Sequence, residues 1–434
     1  MTTPYPHLFS PLSIGNVTIK NRICSTGHDT CLAVDTVPGE ALAAYQRARA
    51  EGGAGLIMLE VAGVHETSRY TADMILATSD ACIPGFRMIA EKIIAAGDAD
   101  ICGMTRAMIC DSQLANKARE GRADEIRECI GCNQACIGHM HQGYPISCIQ
   151  HPESGRELKY RPLSLAAKPK RVMVIGGGPA GMKAAAVAAA RGHRVTLYER
   201  ENCLGGQALL AQRLPGRAEF GGLVTNLSRE MEEAGAEVVL KHGVNAAFVR
   251  AEAPDAIILA TGARPHELDL PGRDEAHVVS AWDVIQDRVR VGSSIVVADW
   301  RCDWIGLGVA ELLARDGCRV RLCVNGTMAG QTIQQYVRDS WLGKMHTLGV
   351  EIIPMVRLGG VDSETVYFEH TLSGEPLLCE NVDTLVLSSG HDAVHTLEQE
   401  LSDYAGEFVL VGDCLCPRTA EEAVLEGLEA AAAL

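Results

Sequence analysis

The 434-residue sequence has no run of about 18 apolar residues, the length a helix needs to cross a bilayer. It also has no surplus of positive charge. Its 39 Lys and Arg stand against 55 Asp and Glu, a net charge of −16. That sign argues against nucleic acid or an anionic membrane surface as a partner. The opening residues, Met1-Thr2-Thr3-Pro4-Tyr5-Pro6, lack the basic start and apolar stretch of a signal peptide. A cytoplasmic protein is therefore expected. No short-period repeat is visible, although two βαβ units in the second half read as a nested pair.

Cysteine is abundant, at sixteen residues. In a cytoplasmic chain these read as free thiols or metal ligands rather than disulfides. Most stand singly in apolar runs (Cys102, Cys318, Cys323) and read as small buried hydrophobes. The chain is 47% hydrophobic, enough for real cores. Its length predicts roughly two to four domains.

Three stretches differ in pattern. Residues 1–128 alternate short β-rich runs with helical ones. Strands are predicted at 22–26, 55–60 and 100–104, and helices at 39–50 and 86–96. Leu56 to Leu59 is continuously apolar, which predicts a buried strand of a parallel sheet. Residues 129–168 are rich in Cys, Gly, Pro and His and show no period. Such a segment cannot order itself by burying an apolar face, and a metal cluster would explain its order. Residues 161–170 read as a linker. From 170 onward the α/β pattern resumes. Strands are predicted at 171–175, 194–198, 294–298 and 319–324, helices at 181–191 and 306–316, and a C-terminal helix over 419–434.

Cys129-Ile-Gly-Cys132-Asn-Gln-Ala-Cys136, followed by Cys148, has the spacing C-x2-C-x3-C-x11-C. Four thiolates can surround a [4Fe–4S] cubane, and close spacing lets one loop supply three of them. A structural zinc is the rival, but zinc sites usually show two paired C-x2-C knuckles. His139, His141 and His151 lie nearby and read as solvated or structural, because four cysteines already fill a site.

Val174-Ile175-Gly176-Gly177-Gly178-Pro179-Ala180-Gly181 is G-x-G-x-x-G between a strand and a helix. Gly176 makes the tight turn, Gly178 lets backbone approach a pyrophosphate, and Gly181 lets helix and strand pack closely. The helix N-terminus then faces the phosphate charge. Glu199 ends the next strand, where an acid is needed for the ribose. Gly205-Gly206-Gln207 follows closely, and Gly412-Asp413 follows an apolar strand near the C-terminus. Leu259-Ala260-Thr261-Gly262 resembles the A-T-G crossover strand of flavoproteins with two dinucleotide domains, and Gly412-Asp413 resembles their flavin-side G-D element. The expected cofactor is FAD, or ADP. The second βαβ unit carries Ala298-Asp299-Trp300-Arg301-Cys302-Asp303-Trp304-Ile305-Gly306 where a glycine fingerprint would stand. Bulky and acidic side chains there oppose a phosphate, so a degenerate nucleotide-type domain is expected.

Together these motifs resemble the iron–sulfur branch of the Old Yellow Enzyme superfamily. That branch includes 2,4-dienoyl-CoA reductase, trimethylamine dehydrogenase and related NADH:flavin oxidoreductases. Phe9-Ser10-Pro11-Leu12, Lys20-Asn21-Arg22-Ile23, Gly103-Met104-Thr105-Arg106 and Asn116-Lys117-Ala118-Arg119 match it, as do the cysteine and glycine motifs. The resemblance implies a flavin- and [4Fe–4S]-dependent oxidoreductase acting on a small enoate or an N-methylated amine. It implies FMN beside Thr26, Gly27 and Ala62, with its phosphate on Arg106, where a guanidinium fork suits phosphate oxygens. Asp29 stands where the amine dehydrogenases attach FMN through cysteine, so no such bond is expected. His28 is an acid–base candidate by position. Partners implied are a small-molecule substrate and an electron-transfer partner.

One departure stands out. A (β/α)8 barrel takes about 250 residues, and Cys129 comes far too early for that. The resemblance jumps from the second barrel helix to the approach of the eighth strand, so units three to seven are expected to be missing. Open strand edges would favour a homo-oligomer, and FMN chemistry would be impaired. The expected fold is α/β: a truncated (β/α)8-type segment at 1–128, an iron–sulfur loop and linker at 129–168, and tandem Rossmann-like domains. The FAD domain spans 169–285 and 380–434, and the second, degenerate domain spans 286–379. Two further readings stay open: a cluster–FAD electron-transfer or diaphorase module, and a non-catalytic internal-deletion product.

Overall fold

A computed structural model describes residues 4–15, 17–60, 62–63, 74–76, 80–86, 88 and 105–434. The strand expected at 100–104, with Gly103 and Met104, lies outside these residues, as does most of the helix expected at 86–96.

In the N-terminal segment, β1 (Cys24–Ser25) pairs in parallel with β2 (Leu56–Ile57), across α1 (Glu40–Glu51). This is one βαβ step. A second parallel pair joins Ala62–Gly63 to Ile75–Leu76. β2 is shorter and less buried than the apolar run 55–60 predicted: Leu56 and Ile57 are half-buried and Met58 is exposed. Among the described residues, β2 has one partner strand, β1. Beyond it, Glu60 turns its carboxylate to the Thr30 backbone N–H at 3.1 Å. The local core gathers Leu32, Leu42, Tyr45, Ile75, Ile109 and Ile146, with Cys136 and Cys148 packed against it. Ile109 comes from α2 (Arg106–Cys110).

The rest of the chain forms two doubly wound units. β3 (Arg171–Ile175), α3 (Pro179–Ala190), β4 (Arg194–Tyr198), α4 (Gly221–Ala234), β5 (Glu237–Val239) and β6 (Ala256–Leu259) begin the first. The second is built from β7 (Val278–Ser280), β8 (Ser294–Asp299), α5 (Trp304–Arg315), β9 (Arg319–Val324), α6 (Gln335–Thr347), β10 (Glu351–Ile353) and β11 (Thr384–Ser388). β12 (Glu407–Leu410) and α7 (Ala420–Ala433) return to the first. The two parallel sheets run β12-β6-β3-β4-β5 and β7-β11-β8-β9-β10. β3, β4 and β9 keep the bounds read from sequence; each opens on an exposed Arg and continues through largely apolar residues.

α3 is built of alanines and is buried along most of its length. It lies between the first sheet and α7. A Cβ on Gly427 would sit 2.4 Å from the Ala180 carbonyl oxygen, so glycine is what lets these helices touch. α7 starts at the predicted Thr419, whose hydroxyl and Glu422 form a capping box. The N-terminal segment is fastened to the first unit by buried charge. Lys183 of α3 pairs with Glu153 at 2.7 Å and with Glu230 of α4 at 3.0 Å. Arg127 also pairs with Glu230, and Arg49 with Glu157 at 2.8 Å. Among the described residues, no helix is long and apolar enough to cross a membrane.

Candidate functional site

The first glycine turn is open where a phosphate would approach. Gly176 has φ +110°, and a Cβ there would lie 2.3 Å from the Ala260 carbonyl oxygen. A Cβ on Gly181 would lie 2.0 Å from the Gly176 carbonyl oxygen. These two glycines serve the turn and its packing. Gly178 differs: it is the N-cap of α3, no side chain caps it, and a Cβ there would meet nothing within 4 Å. The free N–H groups of α3 therefore face open space.

The other predicted residues gather around this turn. Glu199 accepts the Gly177 N–H at 2.7 Å through Oε2 and the Glu201 N–H at 2.8 Å through Oε1. Gly205 donates to the Gly177 carbonyl at 2.8 Å, and Gly206 comes against Gly178, a Cβ on it falling 3.1 Å from the Gly178 Cα. Gln207 Nε2 donates to Asp413 Oδ2 at 2.8 Å, across more than two hundred residues of chain. Gly262, with φ +74°, lies beside the Gln207 amide. Gly412, with φ +69°, packs on Ala180 and donates its N–H to Glu426 at 2.7 Å.

The corresponding turn of the second unit is filled by its own side chains. Asp303 caps α5, its Oδ1 accepting the Ile305 N–H at 2.9 Å, and Arg301 Nε donates to Asp303 Oδ2 at 2.8 Å. Asp299 accepts the Arg301 and Cys302 N–H groups at 3.1 Å. A Cβ on Gly306 would lie 2.1 Å from Asp299 Oδ2. Burial, helped by the nearby Asp303 charge, pushes the Asp299 carboxyl up to about 8.

The four predicted thiols, Cys129, Cys132, Cys136 and Cys148, line one small cavity of about 20 Å³, walled by Ile109, Ile130 and Ile149. Among the described residues, no group of three His, Cys, Asp or Glu side chains is placed to hold a single metal ion. Burial pushes the Cys136 thiol up to about 11, and raises that of Cys132 further. The three histidines are not in this cavity's lining. His139 pairs with Glu421 at 2.6 Å, and His151 is buried beside Glu153. A fifth cysteine was missed by spacing alone. Cys110, read as one of the scattered buried thiols, lies behind this loop, its Sγ 3.4 Å from Gln150 Nε2 and 3.6 Å from the Glu128 carbonyl oxygen.

The family model for pyridine nucleotide-disulphide oxidoreductases matches residues 170–409. The chain belongs to that family. The model for the NADH:flavin oxidoreductase / NADH oxidase family matches residues 7–97, which places the chain in the Old Yellow Enzyme-type branch. A curated NADH oxidase from Thermoanaerobacter brockii is 40% identical over 236 residues, covering 54% of this chain and 36% of the relative. An N,N-dimethylglycine/sarcosine dehydrogenase from Chromohalobacter salexigens is 35% identical over 264 residues, covering 58% and 38%. The chain therefore spans well under half the length of these two relatives. The solved structure of histamine dehydrogenase from Rhizobium sp. 4-9 superposes with a TM-score of 0.91 at 18% identity, covering 100% of this chain and 97% of that one. It shares the fold.

In this flavoprotein the N-terminal candidates are less well gathered than the FAD set. Thr26 hydrogen-bonds Thr105 through their hydroxyls, and a Cβ on Gly27 would press on the Leu59 carbonyl at 2.7 Å. Ala62 lies in the short strand paired with Ile75–Leu76 and packs against the local core. Arg106 Nη1 donates to Asn133 Oδ1 at 2.7 Å, and Arg106 lines the thiol cavity. His28 is engaged at both ring nitrogens. Nδ1 lies 2.8 Å from the Thr26 carbonyl oxygen, which can only accept, so Nδ1 carries the proton. Nε2 then accepts the Tyr45 hydroxyl at 2.7 Å. Burial, with Arg49 nearby, lowers its pKa below the usual value. Burial pushes the Glu60 carboxyl, bonded to Thr30, up to about 7.

Proposed function

We propose that this chain is a flavin-dependent oxidoreductase that holds FAD on the first glycine turn and a [4Fe–4S] cluster on Cys129, Cys132, Cys136 and Cys148. One observation carries it. Residues scattered from 176 to 413 come together around the uncapped N-terminus of α3, with Gln207 bonded to Asp413 at 2.8 Å. In this reading the α3 N–H groups stabilise the pyrophosphate, and Glu199 accepts from ribose hydroxyls. Gly206, Gln207, Gly262, Gly412 and Asp413 border the flavin half. For the cluster, four thiols lining one apolar-walled cavity with the spacing C-x2-C-x3-C-x11-C suit a cubane better than the paired C-x2-C knuckles of a structural zinc. When bound, the flavin takes two electrons as a hydride and the cluster passes them singly. The protein's part is to keep water from the thiols with Ile109, Ile130 and Ile149, and to hold the charged cofactor ends.

The domain limits follow the same reading. Residues 1–128 are a partial barrel segment lacking units three to seven, and 129–168 are the cluster loop and linker. FAD sits on 169–285 with 380–434, and 286–379 are a degenerate second domain. The substrate class is an N-methylated amine or a small enoate; the sarcosine dehydrogenase relative supports the amine. FMN would fall to Thr26, Gly27, Ala62 and Arg106. Arg106 is already bonded to Asn133, which favours a second reading in which the cluster–FAD half works alone as an electron-transfer or diaphorase module.

Cofactor stoichiometry tests this. Anaerobically purified protein is expected to carry one FAD and four irons per chain, with little FMN. One FMN per chain with substrate-dependent bleaching would overturn the impaired-barrel reading. Protein with no flavin would overturn the oxidoreductase reading itself.

A further inference from the structure

We propose that the second unit carries an anion site of its own, a cavity at the carboxyl ends of β7 and β11 that takes a small molecule joining a planar ring to a phosphate or a carboxylate. The inference goes beyond the cofactor reading above and does not depend on it.

The cavity has a volume of about 380 Å³, within the range of roughly 300–1,000 Å³ usual for small-molecule sites. Its walls are the end of β7 with the helix Ala281–Ile285, residues 388–391 after β11, and the strand Ala263–Pro265. The carboxyl ends of parallel strands are where an open α/β sheet leaves a crevice for a ligand. Charge sets this crevice apart. The chain carries −16 overall, yet Arg264, Arg273, Arg288 and Arg301 line it, against two acids, Glu267 and Asp283. Asp283 is engaged, its Oδ2 accepting the Ser280 hydroxyl at 2.6 Å. Arg301 is engaged too, by Asp303 at 2.8 Å. The other three arginines keep most of their donors free. Arg264 reaches Asp392 only at 3.9 Å, and Arg273 donates to one backbone carbonyl, that of Leu268, at 3.1 Å. Arg288 makes no side-chain hydrogen bond or ion pair among the described residues.

Two planar side chains stand beside these guanidinium groups. Trp282 Nε1 donates to His391 Nε2 at 3.1 Å, with the ring centroids 5.2 Å apart. That bond fixes both rings and leaves Nδ1 as the protonated nitrogen of a neutral His391. Burial, with Arg301 nearby, lowers the His391 pKa and so favours the neutral form. Guanidinium forks for an anion, next to fixed faces for a planar ring, suit an aromatic acid or a mononucleotide. A dinucleotide does not fit the same description. Arg301 joins the cavity to the second turn, where Asp299 and Asp303 already accept the N–H groups a pyrophosphate would use.

The test is titration of FAD-saturated protein with AMP, benzoate and NADH, followed by calorimetry and by tryptophan fluorescence. AMP or benzoate is expected to bind with a Kd below about 1 mM, and the tighter of the two tells phosphate from carboxylate. Arg273→Ala and Arg288→Ala are each expected to weaken that binding about tenfold, the worth of one charge-assisted hydrogen bond. Both arginines are exposed, so the fold should survive. The bound anion is expected to quench tryptophan fluorescence in the wild type and much less in Trp282→Phe, which keeps a ring but removes the reporter. Binding of neither anion, binding unchanged in both arginine variants, or full quenching in Trp282→Phe would each overturn the inference. So would NADH binding as tight as that of AMP, because the cavity would then serve a dinucleotide.

Discussion

The two glycine-turn positions, Gly176–Gly181 and Asp299–Gly306, have the same place in the fold and opposite fittings. Each joins the central strand of a five-stranded parallel sheet to a twelve-residue helix. In the first, no side chain caps the helix and the space beside Gly178 is open. In the second, Asp303 caps the helix and Asp299 fills the place of a close backbone approach. A helix N-terminus attracts an anion whatever its source. A carboxylate of the same chain, already in place, competes with a phosphate from solution. The lesson is that topology alone does not make a nucleotide site; the turn must also leave its N–H groups unclaimed.

The sharpest way to break this comparison is at Gly178. Gly178→Val is expected to weaken FAD binding about 100-fold or more, by displacing at least one or two charge-assisted hydrogen bonds of about 1.5–3 kcal/mol each. Apoprotein stability should barely move, because the site has room. Gly176→Val is expected to lower stability itself, by more than about 3 kcal/mol, since both its φ and its Cβ are disallowed. Equal loss of fold in both variants, seen by thermal unfolding of apoprotein, would refute the division of labour between the two glycines.

Glu199→Gln should weaken ADP binding about tenfold, the worth of one charge-assisted hydrogen bond near 1.5 kcal/mol. Titration calorimetry with ADP would measure it, and unchanged affinity would remove Glu199 from the site.

The second turn carries a pH signature. The folded Asp299 holds its proton up to about 8, whereas its ordinary value is 3.8. Between those values the native state binds more proton than the unfolded chain, so stability falls as pH rises from about 4 to about 8. Asp299→Asn should remove that loss, raising stability at pH 8 by roughly 1–3 kcal/mol and hardly at all at pH 4. A gain of equal size at both pH values would show that the carboxyl is not held protonated. The smallest effect belongs to Asp303→Ala, which loses a helix cap worth about 1 kcal/mol. That variant should still fail to bind NADH, because Asp299 remains. Clear NADH binding by it would mean that a single cap, rather than the whole turn, closes the site.

Much of the nucleotide half was legible in the sequence. β3, β4 and β9 could be bounded to the residue, since each is a largely apolar, β-branched-rich stretch that opens on an Arg. The glycine turn was legible because its spacing between a strand and a helix is a local pattern. The N-terminal segment was less so. Strand 55–60 shortened to Leu56–Ile57, because strand length depends on partners that its own residues do not specify. Cys110 was indistinguishable from the other scattered cysteines, as nothing near it in sequence points to its contacts with Glu128 and Gln150.

What the sequence determined by itself was local. It fixed the order of elements, the C-x2-C-x3-C-x11-C spacing and the turn that leaves α3 uncapped, because each depends on residues a few positions apart. The tertiary structure decided what depends on distant partners. It joined Gln207 to Asp413, set Gln150 between Cys110 and Asn226, turned Arg106 to Asn133, and occupied both ring nitrogens of His28. Hydrogen bonds and buried charges are satisfied by whichever group packing brings within about 3 Å, and chain distance does not enter.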